Sequence, residues 1–99
     1  MRLQGKVCLV TGAAKRVGRT VAMALAQRGA KIAIHYGKSR QEAQRLANEI
    51  KESFGRESAI FHADLANVRQ AEKMVEQVGR QFGTIHVLIN NAAVYEKAE

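Results

Sequence analysis

Ninety-nine residues set a limit of one domain, which buries only about 60–65% of the surface its unfolded chain exposes. A 46% hydrophobic and 25% charged composition without proline fits a soluble globular protein and excludes a linker or disordered tail; the apolar run 7–10 is too short for a signal-peptide core or a membrane span, so the default address is the cytoplasm. The net charge of +7 raises nucleic acid as a partner, but residues 1–41 carry nine basic side chains and no acid whereas residues 42–99 carry seven basic and nine acidic ones, and the few aromatics fall mostly on core stripes, which argues against a nucleic-acid platform.

The first predicted element is a strand, Val7-Cys8-Leu9-Val10-Thr11, with Cys8 as a small buried filler that has no second cysteine to pair with. A helix follows, with Val17, Val21 and Leu25 as its apolar stripe and Gly29 beyond its end. Lys31-Ile32-Ala33-Ile34-His35 is the second strand. Ala43, Leu46, Ala47, Ile50 and Phe54 mark the second helix, which Ser39 and Glu42 open as a capping box and Gly55 closes. Ala59-Ile60-Phe61-His62 is the third strand. The third helix carries Val68, Ala71, Val75, Val78 and Phe82, opens on the Asn67/Gln70 pair and stops at Gly83. Ile85-His86-Val87-Leu88-Ile89-Asn90 is the fourth strand. The unbroken apolar character of these strands predicts a sheet covered on both faces. The order β-α-β-α-β-α-β with right-handed crossovers predicts a Rossmann-like, doubly wound parallel α/β sheet, strand order 3-2-1-4, truncated after the fourth strand.

Ligands in such sheets bind beyond the carboxyl ends of the strands, so four turns carry the chemistry. Thr11-Gly12-Ala13-Ala14-Lys15-Arg16-Val17-Gly18 has the glycines for a tight turn and for close approach of a helix N-terminus to a pyrophosphate, though its spacing is not that of the general G-x-G-x-x-G fingerprint. In His35-Tyr36-Gly37-Lys38-Ser39-Arg40 no acid stands where one would bind the ribose hydroxyl of NAD; two cations and a hydroxyl suit a 2′-phosphate, or form a solvated, capped helix start. Asp64, in His62-Ala63-Asp64-Leu65, serves either a ligand amino group or the next helix as a cap. Asn90-Asn91-Ala92-Ala93 combines strand-tying amides with small residues that admit a flat ring. His35, His62 and His86 have no familiar metal spacing and read as strand-end histidines facing solvent rather than as ligands.

Thr11-Gly12-x-x-x-Arg16-x-Gly18, Asp64-Leu65 and Asn90-Asn91-Ala92, in this order and spacing, resemble the short-chain dehydrogenase/reductase family across essentially the whole chain. The Ala-Ala-Lys-Arg-Val-Gly loop with His35-Tyr36-x-x-Ser39 is similar to the NADPH-dependent pteridine reductase-like branch, where an arginine commonly takes the second-glycine position, here Arg16. The resemblance implies an NADP cofactor held by Gly12, Arg16, Val17 and Gly18 at the phosphates, by Tyr36, Lys38 and Ser39 around the 2′-phosphate, by Asp64 and Leu65 at the adenine, and by Asn91 and Ala92 at the ribose. It also implies reduction of a pterin or another small carbonyl or imine compound, and a homo-oligomer.

Residues 1–99 then form the N-terminal part of a single NAD(P)-binding domain. The family's catalytic Tyr-x-x-x-Lys is not in the sequence, since Tyr95 is followed four residues later by Glu99, so no catalytic residue is assigned and the chain alone is expected to be inactive. The open fourth strand is expected to drive self-association, and a truncated product acting by assembly with other subunits is the alternative reading.

Overall fold

The computed structural model describes residues 2–91, in which strands and helices alternate strictly: β1 (Val7–Val10), α1 (Arg16–Gln27), β2 (Lys31–Tyr36), α2 (Arg40–Phe54), β3 (Ser58–His62), α3 (Val68–Phe82) and β4 (Val87–Ile89). All pairings are parallel, in the order β3-β2-β1-β4. The register sets Val10 between Ile34 and Ile89, so the strands end nearly level and their following turns meet on one side.

Alternation along the strands divides the core in two. Cys8, Val10, Ile32 and Ile34 point to α1 and α2, where they pack with Ala22, Ala26, Leu46 and Ile50. Val7, Leu9, Ala33 and Phe61 point the other way, onto Met74 and Val78 of α3. Coverage on both faces is why these strands read as continuous apolar runs instead of alternating ones.

The helix faces depart from the expected stripes. On α1 the buried residues are Gly18, Ala22 and Ala26, while Val17 is 65% exposed. The helix lies so close to the sheet that its contact line admits only small side chains, and the larger aliphatic residues move to its flanks. On α3 the buried pair is Met74 and Val78, whereas Val68 and Val75 stay exposed. The expected stripe matched best on α2, which buries Ala43, Leu46 and Ile50 and half-buries Ala47 and Phe54.

Gly29, Gly55 and Gly83 hold positive φ of 99°, 63° and 91° after their helices. Asn67 caps α3, its Oδ1 accepting from the Gln70 amide at 3.1 Å, but Gln70 does not reciprocate: its Oε1 accepts from the Asp64 amide at 2.8 Å. The Ser39/Glu42 box does not form. Ser39 stands at the N-cap of α2 with φ −98° and ψ 61°, outside the extended backbone that aims a capping hydroxyl at the helix, and its side chain makes no cap bond. An Arg19–Glu49 ion pair ties α1 to α2. No helix among the described residues is long and apolar enough to cross a membrane.

Candidate functional site

A cavity of about 500 Å³ opens beyond the carboxyl ends of the strands. Gly12 enters it after β1, Gly37 after β2, Ala63, Asp64 and Leu65 after β3, and Asn91 after β4; Lys15, Arg16 and Val17 bring the N-terminus of α1, and His35 closes the floor. It occupies the crevice where winding reverses between β1 and β4.

The first turn is fixed by contact and by strain. Gly12 takes φ 62°, and a Cβ on Gly18 would stand 2.7 Å from Asn91 Nδ2 and still closer to the Gly12 carbonyl oxygen. Only glycine lets α1 start this near the turn. Arg16, the first residue of α1, holds a left-handed φ of 54°, a conformation that costs an L-residue about 1–2 kcal/mol. Its long side chain therefore sits on backbone suited to glycine. The N-cap, Lys15, provides no side-chain acceptor and the first turn of α1 holds no acid, so the unpaired amide groups and the positive end of the helix dipole are left to an anion.

His35 links three of the turns. The imidazole is 3% exposed; its Nδ1 accepts from the Gly12 amide at 2.9 Å, and its Nε2 lies 2.9 Å from the Ala63 carbonyl oxygen. Because the Gly12 N–H donates to Nδ1, the ring proton must be on Nε2, donating to Ala63. Burial is the main cause that pushes the His35 pKa below its ordinary value; the Ala63 hydrogen bond opposes the shift and His62 adds to it. This corrects the expectation of a solvent-facing strand-end histidine. A polar ring at this register is retained inside because two backbone groups satisfy it completely. His86 is likewise engaged, its Nδ1 accepting from the Val7 amide at 2.9 Å, and no metal cluster occurs among the described residues.

The fourth turn is tied to the first through Thr11, which donates to Asn90 Oδ1 at 3.0 Å and accepts from the Asn91 amide at 2.8 Å. Asp64 is exposed and its Oδ1 accepts from the Ala66 amide at 3.0 Å. That carboxylate oxygen thus shapes the turn into α3.

Of the residues singled out from sequence, Gly12, Arg16, Val17, Asp64, Leu65 and Asn91 line this cavity, and Gly18 lies buried directly beneath its first turn. Tyr36, Lys38 and Ser39 are not on its wall. Lys38 is exposed at the start of the second turn, and the buried Tyr36 accepts from Arg40 Nη1 at 2.9 Å and packs against His62. Ala92 lies outside the described residues. Lys15, His35, Gly37 and Ala63 were missed as site residues. All four stand in the quoted turns, and the signal for His35 was a polar ring ending an otherwise apolar strand.

The short chain dehydrogenase family model matches residues 6–99. The chain is 39% identical to versicolorin reductase stcU of Emericella nidulans over 94% of its own length and 35% of the relative's. It is 38% identical to 3-oxoacyl-[acyl-carrier-protein] reductase FabG of Staphylococcus epidermidis, over 90% of this chain and 36% of that one. It superposes with a TM-score of 0.88 and 36% identity on a short chain dehydrogenase from Burkholderia cenocepacia J2315 crystallised in complex with NADP, covering 100% of this chain and 42% of that one. The chain thus spans little more than a third of the length of these curated relatives. With the sheet order, the glycine turn and the family match in agreement, the chain belongs to the short-chain dehydrogenase/reductase family.

Proposed function

We propose that the cavity binds NADPH and that these residues are the cofactor-binding part of a short-chain oxidoreductase. The observation that carries this reading is the uncapped, acid-free N-terminus of α1, with Lys15 and Arg16 on the cavity wall and no acid in the turn between β2 and α2. A dinucleotide fits these residues. The Gly12–Gly18 contact holds the N-terminus of α1 close against the first turn, where its amides can meet a pyrophosphate, and Asp64, Leu65 and Asn91 offer polar and apolar surface to adenine and ribose. Lys38 and Ser39 hold the 2′-phosphate from the second turn, with Tyr36 beneath them, and Ala92 completes the ribose contacts. When bound, the reduced nicotinamide supplies a hydride.

The substrate class is a small carbonyl or imine compound. The loop and the His35-Tyr36-x-x-Ser39 run support a pterin, while the 3-oxoacyl group named for the staphylococcal relative supports a ketone. Association into a homo-oligomer is part of the same reading. Fluorescence titration with NADPH and NADH is the test: tighter binding of NADPH is expected, and equal affinities, or none for either in a demonstrably folded sample, would overturn the cofactor assignment.

A further inference from the structure

His35 is the one side chain that hydrogen-bonds backbone groups of two different cavity turns, the phosphate turn at Gly12 and the adenine turn at Ala63, among the described residues. We propose that it is a positioning residue whose neutral imidazole locks these two turns in the shape that receives the nucleotide, so that protonating the ring loosens the grip on NADPH. The inference rests on the nucleotide reading of the cavity given above.

The argument is one of hydrogen-bond direction. A neutral ring has one acceptor and one donor, which match the Gly12 N–H and the Ala63 carbonyl. A protonated ring has two donors. Its new Nδ1–H would face the Gly12 N–H head-on at a distance where they now bond, and a ring only 3% exposed has little access to water as a substitute acceptor. The turn must then shift, and Gly12 has little room to do so because its carbonyl is packed under Gly18. The displacement would pass directly to the start of α1, where the phosphates bind.

The charged groups around the ring reinforce this. Lys15 and Arg16 share its cavity from the first turn, and His62 stands at the end of the neighbouring strand; Asp64, in the third turn, is the one acid on the cavity wall. Of these, His62 acts against a further positive charge on the ring. A competing effect has the opposite sign, since a cationic imidazole would attract phosphate, and the measured direction decides between them.

The test is NADPH affinity of the intact protein from pH 8 to pH 5.5, for wild type and for His35→Gln. Glutamine keeps one acceptor and one donor but does not titrate. The 2′-phosphate itself has a pKa near about 6, so the comparison between the two proteins isolates the histidine. The expected result is that wild type loses about two- to fivefold more affinity over this range than His35→Gln, read as the difference between the two pH slopes whatever the variant's affinity at pH 8. A purely structural role for the ring would lower melting temperature in the variant without removing the pH slope.

Equal slopes, or a wild type that binds more tightly in acid, overturn the proposal while leaving the nucleotide reading intact. Absence of nucleotide binding by folded wild type at every pH overturns both. Should His35→Gln fail to fold, ¹⁵N NMR of the wild-type imidazole gives the same answer: the Nε2–H tautomer and a further fall in the His35 pKa on adding NADPH are expected, and an unchanged or raised pKa refutes the idea.

Discussion

A Cβ placed on Gly18 would collide with the carbonyl of Gly12, so the helix start and the turn that precedes it occupy one another's only available space. Gly18→Ala is therefore expected to cost about 1–3 kcal/mol through overpacking against backbone, which unlike a side chain cannot rotate away. Gly79 has nothing within 4 Å of its would-be Cβ and lies inside α3, so Gly79→Ala should stabilise by about 0.5–1 kcal/mol. Urea denaturation of the two variants checks the contrast.

Arg16 combines a strained backbone with a useful charge. Arg16→Gly removes the left-handed penalty, and stability should stay level or rise by up to about 1 kcal/mol despite the added freedom of the unfolded chain. Affinity should move the other way, with NADPH weakened about tenfold and NADH less, if the guanidinium contributes to the 2′-phosphate as a charge-assisted donor. An equal loss for both nucleotides in parallel titrations would place the arginine at the shared pyrophosphate.

Two buried groups bound the pH range of stability. The His35 pKa is lowered in the folded state chiefly by desolvation, so the unfolded chain takes up the proton first and stability is lost as pH falls below about 6.5. The Cys8 pKa is raised by desolvation, so the unfolded thiol ionises first and stability is lost as pH rises above about 8.5. Denaturant midpoints from pH 5 to pH 10 should fall at both ends. His35→Gln should flatten the acid limb and Cys8→Ala the alkaline one.

The two helix starts that look alike in sequence should respond differently. Asn67→Ala removes a formed cap and should cost about 1 kcal/mol, with no loss of nucleotide affinity. Ser39→Ala removes a hydroxyl that caps nothing, and its stability change should be within about 0.5 kcal/mol, whereas NADPH affinity should fall if the hydroxyl holds the 2′-phosphate. Thermal melts and titrations of both variants separate cap from ligand contact.

The β4 edge gives a prediction about association. Leu88 is exposed and borders an apolar recess of about 310 Å³ with Val75, Met74 and Ile85. The 99-residue chain should self-associate in sedimentation experiments, and Leu88→Lys should shift it toward monomer by charging the edge. A sharply melting wild-type monomer would contradict this.

The sequence by itself determined the element order, the parallel sheet with order 3-2-1-4 and the location of the four turns. These follow from local signals: short β-branched runs, helical periodicity and glycines at helix ends. It also marked six residues of the cavity wall, Gly12, Arg16, Asp64 and Asn91 as polar or glycine turn residues and Val17 and Leu65 only through the family resemblance. The helix stripe on α1 was misplaced, and that on α3 held for Val78 and Phe82 but not for Val68 and Val75, because periodicity ranks residues by apolarity, whereas the sheet chose faces by distance. Close approach favours Gly18, Ala22 and Ala26 over Val17, a selection only the packed layers can make. Likewise Ser39 and Asn67 have equal capping potential in sequence, and the backbone angles of the assembled turns decided which of them caps. His35 is the clearest case. Its function depends on the Gly12 amide and the Ala63 carbonyl arriving on opposite sides of one ring from segments 23 and 28 residues away, and that coincidence exists only once β1, β2 and β3 lie side by side.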